Sequence, residues 1–146
     1  MADVEQTITI LRPVEDVFAV IANPANDHRW SSAVIEAGIT TPGPTGVGTT
    51  AHYVSRILGR RLEYDWVITE FELNRRLAAR SEGTPFPTRA VMSVEPVSGG
   101  TQMTVVYETE RRGMLRLLWP LVTRFGNRQW QRALRTLKDL MEGGAL

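Results

Sequence analysis

"GTTAHYVSRILGRRLEYDWVITEFE", residues 48–72, is two alternating runs around Gly59. Both runs are rich in β-branched and aromatic residues, the signature of strands. Gly59-Arg60 is a tight-turn signal between them, so the segment reads as a hairpin. A two-residue turn there sets Arg56 opposite Glu63 and Val54 opposite Asp65, on a mostly solvated face. Tyr53, Ser55 and Ile57 then share the other face with Leu62, Tyr64 and Trp66, and Ile68 lies beyond. A three-residue loop would flip one strand and bring His52 inside. The first register is preferred because it pairs opposite charges across the strands.

Just upstream, "TPGPTGVGTTAHY" (41–53) has glycines spaced like those of a phosphate-binding loop. Such a loop needs a lysine after its last glycine, and Thr49 stands there. It should also open a helix whose free N–H groups hold the anion, whereas a strand follows. The stretch is therefore a connection between strands. Gly46 and Gly48 supply cheap positive φ for the turn.

Working outward, "VEQTITI" alternates, with Val4, Gln6, Ile8 and Ile10 on one face, a half-buried strand. Pro13 suits the first turn of a helix. Val14, Val17, Phe18 and Ile21 follow at helical spacing. Asn23 before Pro24 caps a second short helix, which ends at Trp30. His28 follows Asp27 in what reads as a surface turn. "SAVIEAGI", "RLAARSEG", "TRAVMSVEPV" and "TQMTVVYETE" are further strands. Short turns between about seven strands imply a mostly antiparallel sheet. Arg80 and Glu82 share one face of their strand, which reads as solvated. Val122, Gly126, Trp130, Ala133, Leu137 and Leu140, with Leu134 and Met141 beside them, form the stripe of a long amphipathic helix starting at or near Pro120.

The chain has 146 residues, enough for one domain spanning 1–146 with a real core. Seventeen basic and sixteen acidic side chains nearly cancel, so overall charge calls for neither nucleic acid nor an anionic membrane. The short basic clusters at 59–61, 74–76 and 111–113 fall at turns and strand ends and read as solvated. Absence of cysteine rules out disulfides and thiolate chemistry and fits a reducing cytoplasm. No signal peptide and no membrane-spanning run is seen, so no stable membrane insertion is expected.

The element order is α+β. Together with "RPVEDVFAVIANPANDHRW", "PGPTGVGT", "YDWVITEFELNRRLAAR" and "RQWQRALRTLKDLME", it resembles the helix-grip fold of the START/Bet v 1-like (SRPBCC) superfamily, and within it the bacterial polyketide cyclase/dehydrase-like proteins. The resemblance spans nearly the whole chain. It implies a curved antiparallel sheet of about seven strands wrapped around the long C-terminal helix, two short helices after the first strand, and a cavity between sheet and helix. The glycine-rich loop would border that cavity. The lining residues expected there are Trp30, Tyr53, Ser55, Tyr64, Trp66, Met92, Met103, Tyr107, Trp119, Val122 and Trp130. The same aromatics would otherwise simply fill core.

Metal chemistry is poorly provided for, since His28 and His52 are the two histidines and no helical H-x-x-x-H pair exists. There is no G-x-S-x-G elbow, and no cofactor is expected. The leading expectation is a protein that binds a small hydrophobic or aromatic molecule, lipid- or polyketide-like. The resemblance also implies an alternative, a cyclase or aromatase using Tyr53, Tyr64, Tyr107 or His52 as proton donors or anchors. A tyrosine whose pKa lies near 10 is a weak base at neutral pH, which ranks this second. A third reading rests on the apolar run Leu115, Leu117, Leu118, Trp119, Leu121, Val122 and Phe125. It is a mouth over the cavity, a protein contact such as a homodimer, a membrane-surface contact, or a packed cap.

Overall fold

The computed structural model describes residues 3–57, 59–84, 86–110 and 116–146. The elements are β1 (Val4–Ile10), α1 (Val14–Ile21), a 3-10 turn (Pro24–Asn26), α2 (Asp27–Trp30), β2 (Val34–Ile39), β3 (Thr50–Ile57), β4 (Arg60–Glu72), β5 (Arg76–Glu82), β6 (Thr88–Val97), β7 (Gly100–Thr109) and α3 (Trp119–Glu142). The strands form one antiparallel sheet in the order β1-β7-β6-β5-β4-β3-β2. Chain-adjacent strands pair except at one place. The connection from β1 to β2 carries α1 and α2 from one edge of the sheet to the other. That crossing closes one end of the space between the curved sheet and α3. This is the helix-grip architecture.

Local chemistry sets the helix ends. Asn23 accepts from the Ala25 N–H at 3.2 Å and starts the 3-10 turn. Pro120 sits in the first turn of α3, where a missing N–H leaves no helix bond unmade. At the far end, Arg12 donates to the carbonyls of Met141 (2.6 Å) and Leu146 (3.0 Å), tying the last turn of α3 and the chain end to the segment after β1.

The helix packs in two halves. Its N-terminal half lies along β1: Asn127 accepts from Gln6 Nε2 at 2.7 Å and donates to the Asp3 carbonyl at 3.2 Å. Gly126 lets this happen, because a Cβ there would stand 3.0 Å from Val4 Cγ2. Its C-terminal half forms the core. Ala133, Leu134, Leu137 and Met141 are buried against Ile10, Val17, Phe18, Val94, Met103 and Val105.

The β3–β4 register differs from the expected one by two residues. Ile57 pairs with Arg60, Tyr53 with Tyr64, and His52 with Asp65. Gly59 takes φ +78°, so the turn closes one residue early and Arg60 already belongs to the ladder. A shift of two keeps every side chain on its face. It replaces the expected Arg56–Glu63 pair by Arg56 opposite Arg61, both exposed. The outer face is solvated except at Val54, which is buried between its cross-strand neighbours Glu36 and Glu63. Arg80 and Glu82 form an exposed pair at 3.1 Å.

In the glycine-rich loop, Gly43 and Gly48 adopt positive φ. Gly46 does not, contrary to expectation. Its N–H is held by Thr49 Oγ1 at 2.9 Å, while the Gly48 N–H bonds the Ile68 carbonyl. Those internal bonds also leave neither N–H free for an anion.

Leu117, Leu118, Leu121, Val122 and Phe125 are exposed at the start of α3, Leu117 by 83%. They therefore form no packed cap, and none of them lines the space between sheet and helix. Leu115 and the 111–113 cluster lie outside the described residues. No described helix is long and apolar enough to cross a membrane.

Candidate functional site

The curvature of the sheet holds it away from α3 beyond the core, and a cavity of about 200 Å³ remains. Alternation along β3 and β4 turns Tyr53, Ser55, Tyr64 and Trp66 toward it. β6 contributes Met92, β7 contributes Tyr107, and α3 contributes Trp130. Trp30, from α2, completes the wall. Ile39 and Thr49, at the two ends of the glycine-rich loop, border it.

Eight of the eleven residues expected at the cavity thus line it. Met103, Trp119 and Val122 do not, and the reasons are geometric. Met103 shares a face with Tyr107, but four residues of strand separate them by about 13 Å. Met103 accordingly falls under α1 in the closed core. Val122 lies eight residues from Trp130, about 12 Å along the helix. It is exposed, one turn before Gly126, which packs on Val4 of β1. Trp119 is buried, and its Nε1 donates to Asp3 Oδ1 at 2.9 Å. Spacing on a stripe fixes the face of a helix; position along its axis decides between core and cavity.

The aromatic side chains are in continuous contact. Tyr53 stacks on Tyr64 with ring centres 5.8 Å apart. Tyr64 meets Trp66 edge-on at 6.3 Å, and Trp66 meets Tyr107 at 6.0 Å. Tyr107 meets Trp130 at 5.1 Å, and Trp130 meets Trp30 at 5.8 Å. All three tyrosines of the chain and three of its four tryptophans belong to this run.

Asp27 adjoins the Tyr53 end of this run. It lies one helical turn before Trp30, so the two side chains share a face. Its Oδ2 accepts from the Tyr53 hydroxyl at 2.5 Å. It is 7% exposed, and its Oδ1 is buried without a hydrogen-bond partner, as is Trp30 Nε1. Burial pushes the Asp27 carboxyl from 3.8 up to about 7, against the opposing pull of the Tyr53 hydrogen bond. Among the described lining residues Asp27 alone can carry charge near neutral pH. Its expected place in a surface turn is corrected: docking of α2 against β2 and α3 buries it. The clue in the sequence is its i, i+3 relation to a tryptophan expected at the cavity.

Burial also pushes the hydroxyls of Tyr53, Tyr64 and Tyr107 up, those of Tyr53 and Tyr107 strongly. They act as neutral donors, not bases. Ser55 Oγ and Tyr64 Oη are 2.8 Å apart and satisfy each other.

His52 lies on the other face. Its Nδ1 is 2.7 Å from Asp65 and its Nε2 3.3 Å from Glu63, both partners being about half exposed. The Asp65 hydrogen bond, then the Glu63 one, raises its pKa. It has no route to the cavity, so its expected role as a cavity proton donor is corrected. His28 is exposed on α2. No group of three or more His, Asp or Glu among the described residues is placed to hold a metal.

A family model described as "Polyketide cyclase / dehydrase and lipid transport" matches residues 1–142. Among curated proteins we find no match. Solved structures share the fold. The protein TTHA0849 from Thermus thermophilus superposes with a TM-score of 0.82 at 16% identity, over 98% of this chain and 99% of that one. The di-domain ARO/CYC protein BexL of the BE-7585A biosynthetic pathway gives 0.76 at 18% identity, over 94% of this chain and 45% of that one. Ara h 8.0201 gives 0.62 at 14% identity, over 91% and 95%.

Proposed function

Since this chain belongs to the polyketide cyclase/dehydrase and lipid transport family, we propose that its cavity binds one small, ring-containing apolar molecule. The observation that carries this is the continuous run of six aromatic side chains along a cavity of about 200 Å³. Size narrows the class. An apolar cavity of roughly 150 Å³ holds a benzene. The present one suits a body of one or two rings, and a long acyl chain exceeds it. Pockets of this type are mostly apolar with a few convergent polar groups. Asp27, Trp30 and the tyrosine hydroxyls supply those groups.

The test is Trp66→Ala. The ring touches Tyr64 and Tyr107 and sits midway along the wall. Affinity for a bicyclic aromatic such as indole should fall by at least about tenfold, as expected for loss of one large aromatic contact. Circular dichroism should show a folded protein. Unchanged affinity in the folded variant would remove Trp66 from the site.

One further observation favours an enzyme as a second reading. A buried carboxyl that titrates near 7 is suited to general acid–base work at neutral pH. The cavity would orient a carbonyl compound, and Asp27 with Tyr53 would move its proton. This assigns the proton transfer to Asp27, with Tyr53 positioning it. Tyr53→Phe should then lower the turnover of a polyketide-like substrate by about 10²-fold while binding persists. Equal turnover by Tyr53→Phe would remove Tyr53 from the reaction, and no turnover by the native protein would leave the binding function alone standing.

A further inference from the structure

We infer that the molecule held in this cavity is a small amine, bound as a cation between the aromatic wall and the Asp27 carboxylate. The inference rests on the binding reading above and names its ligand class. Three observations carry it. The carboxyl has one oxygen engaged by Tyr53 and the other buried with no partner. The walls around it are rings in continuous contact, from Tyr53 through Tyr64, Trp66, Tyr107 and Trp130 to Trp30. No lysine, arginine or histidine is among the described lining residues to neutralise it.

Each fact has the same chemical complement. A buried carboxylate is costly until a positive charge pairs with it. A ring face attracts a cation within about 6 Å of its centroid, tryptophan most strongly. An ammonium has donors only, so it can occupy the free Asp27 oxygen without leaving an acceptor unmet. A neutral ring compound fills the walls but leaves the carboxylate unpaired. Trp30 Nε1, the second orphan, would take an oxygen of the same molecule.

The facing groups set the pH dependence. Tyr53 on β3, Tyr64 on β4 and Tyr107 on β7 are all held neutral by burial. The α3 residues lining the cavity, Gln129, Trp130 and Ala133, do not titrate. Asp27 therefore sets the charge of the cavity, and amine affinity should rise as pH rises through about 7.

The experiment is calorimetric titration of the full chain with benzylamine and with benzyl alcohol, which match in shape and differ in charge. Above pH 7, benzylamine should bind at least about tenfold more tightly, the difference a charge-assisted bond makes. Asp27→Asn should remove that preference, bringing the two affinities to within about threefold of each other, while circular dichroism shows a folded protein. Equal or tighter binding of benzyl alcohol overturns the amine assignment while the cavity still binds aromatics. A benzylamine preference that survives Asp27→Asn also overturns it. Failure of both compounds to bind overturns the assignment together with the binding reading beneath it.

Discussion

Asp27→Asn should unfold at a higher temperature than the native protein above pH 7, and the order of the two should reverse below about pH 4. The native carboxyl is shifted from 3.8 to about 7 by burial. A raised acid keeps its proton in the folded state after the unfolded chain has released it. Its contribution is therefore whole below pH 3.8 and is lost as pH rises through about 7. Fully developed, the penalty is about 4 kcal/mol. Asparagine never ionises, and its oxygen still accepts from Tyr53. Its amide would be an unmet donor, costing about 1–3 kcal/mol. The net gain above pH 8 is thus about 1–3 kcal/mol, a few degrees in melting temperature for a chain of this size. Urea melts of both proteins at pH 5 and pH 9 test it. His52 and Glu142 titrate in both proteins and cancel in the difference. A difference that does not change with pH would show that Asp27 is not the shifted group.

The second large effect is structural. Gly100 opens β7 and pairs with Val97 across a turn at whose end Gly99 takes φ +82°. A Cβ on Gly100 would stand 2.3 Å from the Ile10 carbonyl oxygen and 2.9 Å from Leu11 Cα. Both are backbone, so no side-chain rotation relieves the clash. The ends of β1 and β7 must separate, and with them the Thr101 hydroxyl bond to the Arg12 carbonyl at 2.8 Å. Gly100→Ala should cost about 3 kcal/mol or more, at the severe end for overpacking. Gly46→Ala is the control. A Cβ there meets nothing within 4 Å and φ is not positive, so stability should change by less than about 1 kcal/mol. Similar urea midpoints for the two variants would mean that the close approach of β1 to residue 100 is not as drawn.

Much of this fold is legible in the chain because alternation and helical stripes are local. The inward set Tyr53, Ser55, Tyr64 and Trp66 follows from parity alone. It survives a register displaced by two residues, since parity does not locate the turn. The stripe of α3 is equally readable, and its start near Pro120 agrees with a helix beginning at Trp119. Depth is what periodicity does not encode. Val122 and Trp130 share a stripe, yet one is exposed and the other reaches the cavity. Asp27 is the hardest case. In a short polar stretch, a carboxylate reads as solvated. Its burial depends on α2 being carried across the sheet, a contact made far away in sequence. The phosphate-loop spacing at 43–49 misleads in the opposite direction. The glycines serve a turn, and Thr49 consumes the donor of Gly46.

The unbroken run of rings has an optical consequence. Every tyrosine in the chain, and every tryptophan except Trp119, stands on the cavity wall. Light absorbed near 280 nm is thus absorbed mainly by that wall. With neighbouring ring centres 5.1–6.3 Å apart, excitation passes readily from tyrosine to tryptophan. Emission from Trp30, Trp66 and Trp130 then reports on whatever they enclose, with Trp119 as a constant background. The protein carries its own dye.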